Sequence, residues 1–247
     1  MNQDWKANQQ NLSQKIIIPT QGGYFPTQGH LILSLDIQYV GDEAYIGGDL
    51  LVWGSSEQRV FAGLAMCRVP YVPGYFCFRE GPPLYQFVKY LEITQNVSVD
   101  LIIVDGHGIA HPRRFGVACW LGLACECPCI GFAKKSLIPY EKEPAEEAGS
   151  TAGIFLPNQS EVLGYVLRTQ ASIKPVFVSP GHLISVDNSK QVILNLVQNY
   201  RIPENMRRAD QTARAYSRKE TGNWVDLGRI PERVDFPNLK NLENLDS

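Results

Sequence analysis

The sequence predicts an α/β fold in which a mixed central sheet is flanked by helices on both faces. Segments typical of hairpin strands come first, and strand-like and helical segments then alternate, as expected for a sheet with antiparallel and parallel strands. The chain has 247 residues, of which 44% are hydrophobic, so it can bury a large core. We therefore treat residues 1–247 as a single domain.

Three strands are predicted early in the chain. They are HLILSLDIQYV, AYIGGDLLVWG and QRVFAGLAMCRV, which are rich in β-branched and aromatic residues. The turn sequence GDE joins the first two. Residues 1–28 precede them and are polar with glycine and proline, so we expect a loosely held N-terminal lead-in.

Strands and helices then alternate. The Pro/Gly-rich loop PYVPGYFCFREGPPL opens a helix that contains LYQFVKYLEI. The following segments are the strand 101–104, the helix FGVACWLGLACE, the strand PCIGFA, the acidic surface excursion PYEKEPAEEAGSTAG, the strand PVFVSPGH, and the helices DNSKQVILNLVQNY and PENMRRADQTARAYSR. The polar residues 221–247 have no clear period and are interpreted as a C-terminal tail.

Composition narrows the functional classes. The net charge of −2 argues against a uniformly basic protein, so an anionic partner would need a local basic patch. No apolar run reaches transmembrane length, and the N-terminal segment lacks the hydrophobic core of a signal peptide. We expect a cytoplasmic monomer that makes no contact with membranes.

Three of the six cysteines are clustered, at Cys125, Cys127 and Cys129. Their alternate spacing places them on one side of a strand, as small core residues of a protein in a reducing compartment. A zinc site would instead favour pairs spaced as C-x-x-C.

Three carboxylates lie at unusual places in the predicted core elements. Asp105 directly follows the apolar strand 101–104; this is equally typical of a plain turn and of a ligand site at a strand end. Asp36 lies inside an apolar strand, where an unpaired carboxylate is costly. Glu80 lies near a helix start, where backbone N–H groups favour anions. Three acids that converge would suit a hard cation such as Mg²⁺.

Several motifs together identify a family resemblance. In order they are LDIQY, PYVPGYFCFRE, VDGHGIAHPRRFGVA, IGFAKKSL, SPGHLISVD and YRIPENMRRAD. The series resembles endonuclease V, a deoxyinosine-directed nuclease family with an RNase H-like fold, and extends from about Leu31 to Arg214. Its most specific part is PYVPG, then FRE, then DGHG followed by HPRR.

The resemblance implies a metal-dependent enzyme of DNA repair. It would recognise deoxyinosine, whose base is hypoxanthine, and hydrolyse the second phosphodiester bond on its 3′ side, leaving 3′-hydroxyl and 5′-phosphate ends. The expected partner is inosine-containing DNA, with RNA as a further substrate. Two alternatives stay open: an inosine-specific endoribonuclease, and another RNase H-like nuclease without inosine specificity. A non-catalytic nucleic-acid-binding module is disfavoured because all the expected acids are present.

The resemblance also assigns catalytic roles. Asp36, Glu80 and Asp105 would hold Mg²⁺, with Mn²⁺ able to substitute, and the metal would polarise a phosphate oxygen and activate water. Lys134 would orient the nucleophile or neutralise phosphate charge, and His182 would orient water or the metal shell. Without the family, Lys134 is interpreted as a solvated lysine and His182 as a structural histidine.

The loops would supply recognition. By resemblance, the segment PYVP acts as a wedge where the altered base leaves the stack, because a tyrosine held between prolines can replace lost stacking. The wedge consists of Pro70, Tyr71, Val72 and Pro73.

Backbone groups would surround the flipped base, since small residues let a purine edge approach main-chain N–H groups. The residues assigned to this pocket are Gly74, Phe76, Gly106 and Gly131. His111 would brace the loop or contact the bound strand, and Arg113 and Arg114 would face phosphates. Basic residues between 201 and 219 extend this patch: Arg201, Arg207, Arg208, Arg214, Arg218 and Lys219.

Overall fold

A computed structural model describes residues 4–140 and 142–232. The helices are α1 (Trp5–Ser13), α2 (Phe76–Gln95), α3 (Val117–Cys125), α4 (Val186–Leu196) and α5 (Glu204–Ser217). The strands are β1 (Leu31–Val40), β2 (Glu43–Val52), β3 (Gln58–Met66), β4 (Leu101–Asp105), β5 (Cys129–Ala133), β6 (Thr151–Ile154), β7 (Gly164–Leu167), β8 (Val176–His182) and β9 (Val225–Arg229).

The nine strands of the described residues join one mixed sheet in the order β6-β7-β8-β5-β4-β1-β2-β3-β9. Strands β1, β2 and β3 are an antiparallel meander, and β4 and β5 run parallel to β1. Strands β8, β7 and β6 continue the sheet in antiparallel fashion, and β9 pairs in parallel with β3. The predicted combination of hairpins and parallel strands is confirmed.

The sheet separates two hydrophobic clusters. Alternate side chains of β1 point to opposite faces, so Leu33 and Leu35 pack with Phe87 of α2, whereas Ile32 packs with Ile193 of α4. Helices α1, α2 and α3 contribute to the first cluster, and α4 and α5 to the second. Helices therefore cover both faces, as predicted.

The N-terminal residues are held more firmly than predicted. Helix α1 is capped by Asp4, which accepts a hydrogen bond from the Ala7 N–H at 3.1 Å, and it buries Gln9 and Leu12. A β-bridge joins Gly23 to Ile184. The prediction of a loose lead-in is wrong for residues 4–28, because a polar composition concealed the few side chains that anchor the segment.

Helix α2 begins inside the segment that was interpreted as a loop. It starts at Phe76 and contains Pro82 and Pro83. Proline lacks the N–H that would bond four residues back, so Pro83 leaves the Arg79 carbonyl without its helical donor. That carbonyl instead accepts hydrogen bonds from Cys67 Sγ at 3.1 Å and from the Tyr39 hydroxyl at 3.4 Å. These external donors compensate for Pro83, and Glu80 lies buried in the same helix.

Other predictions require smaller corrections. Strand β9 lies within the predicted tail, of which residues 233–247 are outside the described part of the chain. Cys129 is in β5, but Cys125 ends α3 and Cys127 is in the turn between them, so the three do not share a strand. Among the helices of the described residues, none is long and apolar enough to cross a bilayer.

Candidate active site

Two of the predicted acids lie side by side at one edge of the sheet. Leu35 of β1 pairs with Val104 of β4, and Asp36 and Asp105 are the next residues of these parallel strands. In neighbouring parallel strands, equivalent residues point to the same face. Asp36 is nearly buried, with 9% of its surface exposed.

Glu80 approaches the same point from helix α2. It is 3% exposed and lines a cavity of about 480 Å³ together with Asp36, Asp105 and Lys134. The three predicted carboxylates thus line one cavity. Asp36 and Asp105 come from strands β1 and β4, and Glu80 comes from helix α2.

Burial and mutual repulsion act on these acids. Burial, then the charge of Asp105, raises the pKa of Asp36 well above its ordinary value. Burial, then the charges of Asp36 and Asp105, raises the pKa of Glu80. Both carboxylates would be stabilised in their charged form by a nearby cation.

Lys134 is the cation already present. It follows β5, and its Nζ donates a hydrogen bond to Asp105 Oδ2 at 2.8 Å. Burial alone would lower the pKa of Lys134, but the charges of Asp105 and Asp36 outweigh it and raise the pKa. The lysine therefore stays protonated, which contradicts its interpretation as an ordinary solvated side chain.

The donor set fits a divalent cation. Three carboxylates against one lysine leave a local charge of −2, and carboxylate oxygens are the ligands that Mg²⁺ prefers. Among the described residues, no three acid, histidine or cysteine side chains are already close enough to share one ion. Asp36, Glu80 and Asp105 therefore line one cavity without lying close enough, as placed, to share one ion.

Sequence reasoning missed a fourth acid, Asp210 of α5. It lines a cavity of about 140 Å³ with Asp36, Asp105 and Lys134, and its charge contributes to the raised pKa of Asp36. It also accepts a hydrogen bond from Arg214 Nε at 3.0 Å. No local signal in the sequence marks this role, because an acid beside arginines is typical of any exposed helix.

The predicted wedge, residues 70–73, lies beside the cavity of about 480 Å³. Tyr71 is 62% exposed, lines the cavity, and meets the Phe76 ring edge-on with centroids 5.8 Å apart. Pro70 and Pro73 are exposed and Val72 is partly buried. Such exposure fits a recognition side chain better than a core residue.

The structure brings three more predicted pocket residues, Gly74, Gly106 and His111, to this cavity. His111 Nδ1 accepts a hydrogen bond from the Arg113 N–H at 3.1 Å, so its Nε2 donates to the Gly74 carbonyl at 3.2 Å. Burial lowers the pKa of His111 to about 4, which keeps the ring neutral. His111 therefore braces the loop, one of its two predicted roles.

Gly131 has a different role from the one predicted. It lies in the buried strand β5, and an added Cβ would come within 2.5 Å of the Gly108 backbone nitrogen. Its missing side chain lets β5 support the loop that follows β4 from beneath. Gly131 packs behind the pocket rather than lining it.

His182 lies at the opposite edge of the sheet from the acids. It pairs with Cys129, the first residue of β5, whereas Lys134 follows the last residue of that strand. The five residue steps from Cys129 to Lys134 span roughly 16 Å. His182 Nδ1 accepts a hydrogen bond from the Ile17 N–H at 3.3 Å. The predicted catalytic role is therefore wrong, and the histidine is structural.

The two arginines of HPRR face protein groups rather than solvent. Arg113 donates hydrogen bonds to Gln9 Oε1 and to the Gly74 carbonyl, and its guanidinium stacks on Tyr75 at 4.3 Å. Arg114 pairs with Glu161. In this conformation the two side chains contact protein groups, and the expectation that they face phosphates stays a prediction.

Part of the predicted basic patch does reach the acids. Arg207 lines the 140 Å³ cavity and stacks on Tyr200 at 3.7 Å. Arg208 instead pairs with the buried Asp49 beneath α5. Only some of the arginines in residues 201–219 therefore adjoin the site.

Comparisons with known proteins agree with this arrangement. Residues 11–211 match the sequence model of a family described as endonuclease V. Endonuclease V of Geotalea uraniireducens (strain Rf4) is 39% identical over 217 residues, which are 87% of this chain and 88% of that protein.

Solved structures are similar as well. The crystal structure of endonuclease V from Streptomyces avermitilis superposes with a TM-score of 0.76 at 32% identity, covering 89% of this chain and 94% of that one. Ciona intestinalis endonuclease V, solved with a 24mer DNA containing an inosine followed by a ribo-adenosine, gives a TM-score of 0.75 at 25% identity, with 87% and 97% covered. This chain is a nuclease that acts on phosphodiester bonds, and it belongs to the endonuclease V family.

Proposed function

We propose that the chain is a metal-dependent endonuclease of DNA repair that recognises deoxyinosine and hydrolyses the second phosphodiester bond on its 3′ side. The products would carry 3′-hydroxyl and 5′-phosphate ends. The observation that carries the proposal is that one cavity is lined both by Asp36, Glu80, Asp105 and Lys134 and by Tyr71 and Phe76. Phosphodiester chemistry and base recognition would thus be neighbours.

The site residues divide the chemical work. Asp36, Glu80 and Asp105 would hold Mg²⁺ or Mn²⁺, which when bound supplies a Lewis acid for phosphate oxygens and lowers the pKa of water. Lys134, fixed by Asp105, would neutralise charge that builds on the phosphate. Asp210 lies close enough to influence Asp36 and would orient water or a metal ligand.

The other half of the cavity would receive the altered base. Tyr71 would fill the gap left in the stack, and the positive φ of Gly74 (82°) turns the loop towards Phe76. A neutral His111 keeps this turn in place near neutral pH. The sheet order of the five strands β3-β2-β1-β4-β5 supports an RNase H-like arrangement around the site.

RNA is a second candidate substrate. The Ciona relative was solved with a strand in which a ribo-adenosine follows the inosine, which indicates that a 2′-hydroxyl can be accommodated in that protein. Inosine-containing RNA is therefore tested beside DNA.

We further propose a cytoplasmic monomer. All six cysteines are free thiols, which suits a reducing compartment. Asp36, Glu80, Asp105 and Lys134 all come from the same chain.

A set of matched oligonucleotides tests the proposal. Strands carrying inosine, uracil, an abasic site or only normal bases, as DNA and as RNA, would be incubated with the protein and Mg²⁺. We expect one cut per inosine-containing strand and none in the strand of normal bases. Equal cutting of all strands would contradict inosine specificity and favour a general RNase H-like nuclease.

A further inference from the structure

Helix α1 contacts the segments that flank the cavity through a buried side chain, Gln9. Its Nε2 donates hydrogen bonds to the Phe115 carbonyl at 2.7 Å and to the Gly74 carbonyl at 3.2 Å. Its Oε1 accepts a hydrogen bond from Arg113 Nε. One amide thus joins α1, the turn before α2 and the loop after β4.

The Gly74 carbonyl is the centre of this arrangement. It accepts hydrogen bonds from three side chains: Gln9, His111 and Arg113. Gly74 has a φ of 82°, and a Cβ there would lie 2.8 Å from the Arg113 guanidinium. The carbonyl and the backbone turn are therefore fixed together, between Tyr71 on one side and Phe76 on the other.

The chemistry of Gln9 indicates more than packing. An amide with no exposed surface is costly to bury unless all its groups are bonded, and an apolar side chain would fill the same space without that requirement. The polar partners of Gln9 all belong to the segments that flank the cavity, residues 74–77 and 113–115. The same helix packs Trp5 against Tyr75 and Phe78, with ring centroids 5.7 and 5.8 Å apart.

We propose that Gln9 is a positioning residue for substrate recognition: through Arg113 and the Gly74 carbonyl it holds residues 70–76 in the conformation that receives the altered base. This inference rests on the proposed function. Gln9 contacts none of the carboxylates, so it sets the affinity for the inosine-containing strand and leaves the chemical step unchanged.

The test is a pair of matched substitutions on α1. Gln9→Met keeps the length of the side chain and removes its hydrogen bonds, whereas Gln10→Met makes the same change at an exposed neighbour. Single-turnover cleavage of an inosine-containing strand is measured over a range of protein concentrations in Mg²⁺. We expect the half-saturating concentration to rise about tenfold for Gln9→Met, the equivalent of one to two hydrogen bonds, with the saturated rate unchanged.

A second measurement needs no substrate. Hydrogen exchange of the backbone amides in residues 70–76 should accelerate in Gln9→Met and not in Gln10→Met, while exchange in β1 and β4 stays slow in both. Arg113→Lys, which cannot bond Gln9 and Gly74 with the same fork geometry, should give the same local acceleration.

The outcomes separate the two proposals. If the wild-type chain does not cut inosine-containing strands, the proposed function fails, and the exchange comparison still decides whether Gln9 holds the loop. Unchanged exchange in residues 70–76, or a fall in the saturated rate with no change in half-saturation, would overturn the role of Gln9.

Discussion

At the residue scale, Glu80 is a buried carboxylate whose expected role in holding metal would come at the expense of stability. It has 3% of its surface exposed, and Asp36 and Asp105 are its charged neighbours. A lone carboxylate in such a place favours its protonated form, and the neighbouring acids increase that preference. Without a cation, the charged site opposes folding.

A pH dependence of stability follows. The pKa of Glu80 in the folded chain lies above its ordinary value of 4.5, so the native state binds more protons than the unfolded state in the interval between them. Without divalent metal, Glu80 should therefore stabilise the fold more as the pH falls towards 4.5, whereas the lowered pKa values of His107 and His111 act in the opposite direction over part of the same range. Urea unfolding at a series of pH values measures the net pH dependence of the free energy of unfolding.

Glu80→Gln isolates this effect, because the variant has no carboxylate at that position to titrate. The free energy of unfolding of the wild type minus that of Glu80→Gln should therefore increase as the pH falls, whereas the same difference for Glu57→Gln, at an exposed position, should stay nearly constant. If the free energy of unfolding of Glu80→Gln and that of the wild type change with pH in parallel, Glu80 does not contribute to the pH dependence.

Tyr71 is the side chain expected to distinguish duplex from single strand. It is exposed and borders the cavity, so its removal should leave the fold intact. Tyr71→Ala should weaken binding to an inosine-containing duplex by about 1–3 kcal/mol, roughly one base–aromatic stack. The loss should be smaller on a single strand, where no pairing is opened. Equal losses in fluorescence anisotropy titrations would indicate a pocket-lining residue rather than a wedge.

Among the elements, helix α5 depends on a glycine for its position. Gly47 of β2 pairs with Asp36, and an added Cβ would lie 2.1 Å from the Ala209 carbonyl oxygen. The helix therefore packs backbone against backbone, one residue from Asp210. Asn205 donates a hydrogen bond to Ser34 Oγ at 2.6 Å, which fixes the rotation of the helix.

Gly47→Ala should displace α5. We expect a loss of about 1–3 kcal/mol in stability from overpacking, and a cleavage rate reduced because Asp210 moves from Asp36. Gly63→Ala is the matched control, since its methyl would meet only side-chain atoms of Ile230 and Phe87 at 3.0–3.2 Å. Thermal unfolding and single-turnover rates measure both effects. If Gly47→Ala cleaves at the wild-type rate, the position of α5 does not affect catalysis.

The elements that sequence could predict are those with a strong local pattern. Strands β1 to β5 and helices α3, α4 and α5 have apolar runs or helical periodicity, and they appear close to the predicted segments. Helix α1 and the start of α2 were missed because their stability comes from contacts made far along the chain. Gln9 bonds to Phe115, and Arg79 bonds to Cys67, and no local pattern reveals such pairs.

At the scale of the whole molecule, the order and direction of the strands and helices bring the acids of the candidate site together. The acids lie at positions 36, 80, 105 and 210, and the parallel pairing of β1 with β4, with α2 and α5 on opposite faces, gathers them. Three of these acids could be predicted because they interrupt apolar segments or match the family motif. Asp210 could not, since an acid beside arginines is typical of any exposed helix. The role predicted for His182 is wrong because β8 runs antiparallel to β5, so His182 lies beside the start of β5 and Lys134 follows its end.

The gathered negative charge also predicts a response of the whole molecule to metal. Mg²⁺ that binds the folded site and not the unfolded chain should raise the melting temperature by mass action. Asp105→Asn should reduce this increase, because one of the expected ligands is lost. Differential scanning calorimetry with and without Mg²⁺ measures the effect. An identical increase in the variant would place the binding of Mg²⁺ elsewhere.

The most direct test of a carboxylate-based phosphodiesterase next to an inosine pocket is identification of its products. An inosine-containing duplex labelled at either end would be incubated with the wild type or with Asp105→Asn in Mg²⁺, and the fragments and free bases analysed by mass spectrometry. We predict a single cut at the second phosphodiester bond 3′ to inosine, with 3′-hydroxyl and 5′-phosphate ends, and no cut by the variant. Release of free hypoxanthine would contradict phosphodiester hydrolysis as the reaction, and an unchanged cleavage rate in Asp105→Asn would contradict the role of the carboxylates.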